Sequence, residues 1–589
     1  MLPYRQTFSS LDQALPWVLL VAGAVIFHLS LYSLSTSNPF PLSFLLTGIF
    51  LLALSVTSFV AQLFRVGPEL TERQRNLQTI YLLGLSVSLS FTRLSRYAGF
   101  SGFDFVREAS TLQNTLNTGY WDPSLGSLSN YQSSLAITIL PTLTSGTIRV
   151  PGLTVFLFQT FFLIALLPLT IHPIINRLTG DFKLATFSSL LLSVNWFFYG
   201  QHIIGKTAPA LFLAVLAFYC LVHEKKNFQT LGVLFSLGVA MSHYTISLFL
   251  AFTIVSYFAF SKILVPIFSH TSPFRQISPM RIGLAPIMAS ILLIMGWLAF
   301  AAPLIPPDAV SSIQQSVGTI TQIFSSAKRV DTSLAISSSA GPAITAWFDF
   351  QNGLIGLGGL YLFERYRKGY LRGNLATWTL VGLSMIALLG AWILVPYLSV
   401  KVESTRILAI ILPFIIVFLG VMLLRIAKPP SRLGLIAVMA LILLMLPMNL
   451  MIADQQRNPL YHTADSLPLD KNLDDDSSLI PTYSNYAIAV WANSYLPSGK
   501  PVEVDAVGRY ALTTALPFPS NLNFSQEQIP PYTFHRYSIL SSYFVDNDVW
   551  SATILGLSVP IPEPPSYFFS PAHNVLYSSP KFWVMSPAP

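Results

Sequence analysis

The chain has 589 residues, of which 53% are hydrophobic and only 10% charged, with a formal net charge of +8 and a mean hydropathy of +0.59. A soluble domain carries about 25% charged residues, so this composition excludes a soluble globular enzyme and implies a polytopic α-helical membrane protein. The pI of about 9.3 gives no reason to expect a nucleic-acid partner, because much of the Lys and Arg excess falls in loops between apolar segments, where topology accounts for it.

Taken in chain order, the first apolar window, 14–33, is long enough to span and is followed by another at 40–64, so it reads as a retained helix and not a cleaved leader. Further windows at 78–95, 152–174, 184–201, 208–223, 229–242, 245–261, 283–303, 344–363, 375–397, 407–425 and 433–452 bring the expected spans to thirteen. With the N-terminus inside, the inner segments hold eighteen Lys and Arg, against nine in the outer segments before the C-terminal region. Basic residues resist translocation, so this bias predicts a multi-pass protein of the cell membrane with a cytoplasmic N-terminus and an outer loop at 96–151. An odd number of spans then places the C-terminal segment outside as well. The single cysteine, Cys220, sits in an apolar run, so no intrachain disulfide can form.

The outer loop carries the chemistry. It opens with Gly102-Phe103-Asp104-Phe105-Val106-Arg107-Glu108-Ala109-Ser110 and continues through Gly119-Tyr120-Trp121-Asp122-Pro123 and Asn130-Tyr131-Gln132-Ser133-Ser134. Phe105, Ala109, Leu112 and Leu116 recur at helical spacing and form one apolar stripe. Asp104 and Glu108 stand one turn apart beside that stripe, with Arg107 nearby. The spacing predicts a helix along the outer membrane surface with its acids turned from lipid. A second surface or re-entrant helix is expected over 133–147, interrupted by Pro141 and Gly146, before Pro151 opens the next span.

From about residue 453 the composition turns to Pro, Ser, Tyr and Asp, with alternating runs such as Pro501-Val502-Glu503-Val504-Asp505 and helical patterning in Tyr486-Ala487-Ile488-Ala489-Val490-Trp491. A segment of that length holds one small domain, expected as α/β or α+β. The transmembrane part is accordingly bounded at 1–452 and the extracytoplasmic part at 453–589. Asp474-Asp475-Asp476 reads as a solvated turn. The chain has no P-loop, dinucleotide fingerprint or internal repeat.

The order of parts resembles the GT-C superfamily of membrane glycosyltransferases, most closely uncharacterised prokaryotic membrane proteins of that type. The likeness is carried by Asp104 and Glu108, Gly119-Tyr120-Trp121-Asp122-Pro123, Asn130-Tyr131, Ser242-His243-Tyr244, and Ser404-Thr405-Arg406-Ile407-Leu408 with Pro413. The last group is similar to the Arg-Tyr-rich start of a late span in protein mannosyl- and aminoarabinose transferases, with Ile407 in place of the aromatic. The resemblance implies an inverting transferase of the cell envelope that moves a sugar from a polyprenyl-phosphate donor to a glycan, lipid or protein acceptor at the outer face, among membrane lipids. It implies Asp104 as base, Glu108 as a second acid or base-orienting group, and Arg406 with Lys206 as contacts for the lipid phosphate, with His243, Tyr244 and Tyr131 lining the site. A divalent metal is compatible with these acids and is not required by them.

Each residue also has a plainer role. Asp104 follows Ser101 at capping-box spacing and would then stabilise a helix start. Glu108 would pair with Arg107 or another surface cation. His243 would be a hydrogen-bonded structural histidine, Arg406 and Lys206 interfacial anchors, and Tyr120 and Trp121 headgroup aromatics. At the level of the whole chain, the alternatives to an enzyme are a transporter or flippase of a lipid-linked saccharide and an inactive scaffold of the same fold. A transporter favours ionisable groups buried near mid-membrane and repeated halves, whereas the only acid inside an expected span here is Asp349, near its outer end.

Overall fold

The computed structural model describes residues 10–35, 42–65, 71–92, 103–121, 133–195, 205–223, 225–259, 283–302, 342–371, 373–394, 404–427 and 432–455, together with 491, 495–496 and seven strands between 501 and 585. Among these residues there are fifteen helices: α1 Ser10–Ser35, α2 Leu42–Arg65, α3 Glu72–Ser90, α4 Phe103–Thr118, α5 Ile139–Ile148, α6 Gly152–Thr179, α7 Phe182–Ser193, α8 Thr207–Leu221, α9 Lys226–Ser242, α10 Tyr244–Phe258, α11 Leu284–Ala301, α12 Pro342–Arg367, α13 Gly373–Leu394, α14 Ser404–Ile426 and α15 Arg432–Gln455. A helix occupies each of the thirteen apolar windows, and the two remaining helices, α4 and α5, are those expected in the outer loop. The chain is a helical membrane protein.

Four helical stretches, Ala14–Ser33, Ser43–Arg65, Gly152–Thr179 and Leu284–Ala301, are long and apolar enough to cross a bilayer among the described residues. Some others are apolar but shorter. The 12 residues of α7 extend about 18 Å at 1.5 Å per residue, against a hydrocarbon core of about 30 Å. They are also the most enclosed: every residue of α7 from Leu184 to Ser193 is buried, so α7 is a core helix walled off by its neighbours α6 and α14.

Helices in lipid associate through close packing and interhelical hydrogen bonds, since the tails are as apolar as the side chains. The chain uses both devices. A Cβ added at Gly23 would lie 2.8 Å from the backbone nitrogen of Leu52, and one at Gly48 would lie 2.7 Å from that of Phe27, so these glycines set how closely α1 and α2 approach. Tyr81 of α3 stacks on Phe59 at 4.1 Å and shares a hydrogen bond with Ser55 of α2 at 2.7 Å. Ser86 of α3 and Ser193 of α7 pair at 2.7 Å. Such bonds are worth roughly 0.6 kcal/mol each in a bilayer.

The polar start of α3 is closed by a capping box, with the Thr71 side chain accepting from Gln74 N–H at 3.3 Å and Gln74 Oε1 accepting from Thr71 N–H at 3.0 Å. A second, smaller core lies between α4 and α6. There Ala109 and Leu112 of α4 pack with Ile137 and with Phe156 and Phe161 of α6, and Leu116 joins them. The stripe read from the sequence is therefore the face that holds α4 against α6.

Seven strands follow in the C-terminal segment: β1 Pro501–Val504, β2 Asn523–Phe524, β3 Tyr537–Ser541, β4 Val549–Ile554, β5 Leu557–Pro562, β6 Val575–Ser578 and β7 Phe582–Met585. Five of them form one mixed sheet in the order β2-β1-β3-β7-β6, parallel across β2-β1-β3 and antiparallel across β3-β7-β6. The other two, β4 and β5, make an antiparallel pair. The alternating run at Pro501-Val502-Glu503-Val504 is the central strand β1 of the parallel half, consistent with the strand pattern read there.

Candidate functional site

Glu108, in the second turn of α4, is 2% exposed although it belongs to a segment read as a surface helix. Its carboxylate meets the short connection that leads into α8. Glu108 Oε2 accepts the backbone N–H of Lys206 at 2.9 Å, and Oε1 lies 3.7 Å from Lys206 Nζ. Lys206 is itself 4% exposed. Two charges this deeply buried persist only when paired and hydrogen-bonded, because desolvation costs several kcal/mol per ion. A buried lysine 98 positions later in the chain is thus a partner of Glu108, while the side chain of Arg107, the neighbour expected to pair with it, lies outside the described residues.

Gly205 explains why the carboxylate reaches the backbone there. Its φ is +56°, and the place a Cβ would take is filled by Glu108 Oε2. A left-handed conformation is open to glycine without penalty, so Gly205 both turns the chain and leaves the room that the acid occupies. No motif in the sequence marks Gly205. The only local signal is a glycine immediately before a cation in an otherwise apolar stretch.

The lysine's other face meets α10. Lys206 Nζ sits 5.5 Å from the ring centroid of Tyr244, at a distance where an ammonium is attracted to the ring face. Tyr244 opens α10, and His243 before it is extended (φ −155°, ψ 120°), breaking α9 from α10 and capping the latter. His243 Nδ1 accepts from Thr245 N–H at 3.2 Å, which fixes the ring beside Tyr244 at 5.0 Å. The structural role foreseen for His243 is therefore real, and it coexists with a position next to the ion pair.

The turn before α5 closes the same region. Ser134 Oγ donates to Ser242 O at 2.6 Å, and Leu135 N–H donates to Met241 O at 2.7 Å. The segment before α5 is thereby fastened to the break between α9 and α10. Further along the loop, Trp121 stacks on Trp297 of α11, with centroids 6.2 Å apart and planes 8° from parallel, while neighbouring Tyr120 is exposed.

Of the residues singled out from sequence, Glu108, Lys206, His243 and Tyr244 come together. Asp104 is the second residue of α4 and Arg406 the third of α14, but their side chains, like the whole of Tyr131, lie outside the described residues. Among the described residues no group of three or more His, Cys, Asp or Glu gathers as a metal site. The chain matches no family model, and no curated protein matches it.

Proposed function

We propose that the protein is an inverting, membrane-embedded glycosyltransferase that takes a sugar from a polyprenyl phosphate and passes it to an acceptor at the outer face. The observation that carries this reading is the buried cluster of Glu108, Lys206 and Tyr244 at the fastening point of the outer loop. An anion-binding cation and a helix bearing a second carboxylate, Asp104, meet beneath one loop, which is what displacement of a lipid phosphate by a hydroxyl requires.

The roles follow from charge. The Glu108 carboxylate is committed to the Lys206 backbone N–H and ammonium, so Glu108 positions Lys206. Asp104, one turn earlier and about 6 Å along the helix axis, is the base. In the transfer step the acceptor oxygen forms a bond to the anomeric carbon from the face opposite the phosphate. The carbon–oxygen bond to the phosphate breaks with its electron pair leaving on the lipid phosphate, and the acceptor proton passes to Asp104. Lys206 and Arg406 balance the charge that develops on the leaving group.

In the same reading each of the thirteen apolar windows spans, that at 184–201 being longer than α7 alone, the N-terminus is cytoplasmic, and residues 453–589 form a small outer domain that helps shape the acceptor side. A buried ion pair also suits a carrier of lipid-linked saccharides, and one experiment separates the two. Purified protein is given a panel of radiolabelled polyprenyl-phosphate sugars with membrane-extract acceptors. Sugar leaving the polyprenyl phosphate for an acceptor identifies the enzyme. Movement of intact donor across a vesicle bilayer with no transfer identifies the carrier.

A further inference from the structure

At the far ends of α12 and α14, which pack together, two arginines with no acidic partner among the described residues meet at one tyrosine. Tyr361 is half-buried. Arg365, one turn later on the same face, donates from Nη1 to the Tyr361 hydroxyl at 3.2 Å. Its guanidinium carbon stands 6.0 Å from the Tyr361 ring centroid and 5.3 Å from that of Tyr370. Arg425, in the last turn of α14, brings a second guanidinium to 5.8 Å from the same Tyr361 ring. Both arginines are exposed.

The acid nearest in sequence is committed elsewhere. Glu364 takes Arg367 Nε at 2.9 Å and Lys368 Nζ at 3.1 Å, and the hydrogen bonds from those two cations hold its carboxyl below the usual carboxylate range. A cation near a helix C-terminus offsets the helix dipole, which accounts for each arginine singly. It does not account for two like charges brought to one ring with no acidic partner among the described residues. The surroundings are apolar: Leu357, one turn before Tyr361 on the same face, and Leu360 beside it are both exposed, and half-buried Val421 lies one turn before Arg425. Two guanidinium groups at one aromatic ring, at the end of an expected span and beside exposed leucines of the same helix, are the parts that recognise a phosphodiester joined to acyl chains.

We infer that the joint end of α12 and α14 binds an anionic phospholipid, with its headgroup phosphate between Arg365 and Arg425 and its acyl chains along Leu357 and Leu360. The site is independent of the transferase reading, since it contains none of the residues placed in that machinery.

The test uses the full chain in a neutral detergent. Its thermal midpoint is followed while dioleoylphosphatidylglycerol, dioleoylphosphatidylcholine or inorganic phosphate is added, in wild type, in the double variant Arg365→Ala/Arg425→Ala, and in the charge-matched control Lys225→Ala/Lys226→Ala, which removes two exposed cations elsewhere. Phosphatidylglycerol is expected to raise the midpoint of wild type and control at the same concentration, and the double variant is expected to need on the order of tenfold more or to show no rise. Neither phosphatidylcholine nor phosphate should reproduce the effect. An unchanged response in the double variant, an equal loss in the control, or an equal response to phosphate or phosphatidylcholine overturns the assignment. Should the alanine variant not purify folded, Arg365→Gln and Arg425→Gln decide it singly: each must weaken the response, and two wild-type responses overturn the site.

Discussion

Lys206 and Glu108 hold each other in place, and their coupling is measurable. Removing one partner leaves a buried charge uncompensated, which typically costs about 3–5 kcal/mol. Glu108→Gln keeps an oxygen to accept the Lys206 backbone N–H but strands the ammonium, while Lys206→Met strands the carboxylate. The double variant removes both charges and retains the acceptor. Its thermal midpoint is expected to lie above that of at least one single variant, with a coupling of at least ~1 kcal/mol, within the range seen for residues in contact. Additive losses would mean that the two side chains do not act as a pair. None of this pairing was legible in the sequence, because nothing in local periodicity links positions 98 apart. What was legible was the type of residue: Glu108 as one of two acids a helical turn apart in the loop, and Lys206 as a cation that the family resemblance assigned to the lipid phosphate.

Elements were far more readable than contacts. Apolar runs dictate helices in a chain that must satisfy its backbone within the bilayer, so the window at 152–174 became Gly152–Thr179 and that at 283–303 became Leu284–Ala301. The stripe of α4 was predicted from spacing, and Ala109 and Leu112 are indeed buried in the small outer core. The burial of Glu108 was not, since it depends on a connection supplied by a distant segment. Close approach of helices was likewise hidden, because a glycine that touches backbone looks the same in sequence as one that touches nothing.

Gly48 and Gly356 make that distinction testable. A Cβ at Gly48 would meet the Phe27 backbone at 2.7 Å, whereas one at Gly356 meets nothing within 4 Å. Gly48→Ala should therefore lower the thermal midpoint by the equivalent of about 1–3 kcal/mol, the usual cost of overpacking. Gly356→Ala should be neutral or stabilising, as alanine is the better helix former. Equal effects at the two positions would show that α1 and α2 are not held at the distance described.

The side of the membrane that the 96–151 loop occupies decides where the Glu108 cluster can act. Cysteines introduced singly at Ser127 and Ser477, both outside the described residues, should react with an impermeant thiol reagent applied to intact cells, while one at Gly373, the first residue of α13, should not. The one native cysteine, Cys220, is buried, so background labelling should be low. Labelling at Gly373 from outside would reverse the orientation drawn from the distribution of Lys and Arg and place the Glu108 cluster on the cytoplasmic face.

The claim that this cluster serves glycosyl transfer is tested most directly by the rate at which an Asp104→Asn variant moves sugar from a polyprenyl phosphate to acceptor. Asparagine keeps the size of the side chain and most of its hydrogen bonding, so the variant should purify with a wild-type thermal midpoint. Loss of a general base should nevertheless lower transfer by on the order of 100-fold or more, with Glu108→Gln doing less. Transfer by Asp104→Asn at the wild-type rate would contradict the account, for it would leave α4 without a catalytic carboxylate and Asp104 as no more than a residue at a helix start.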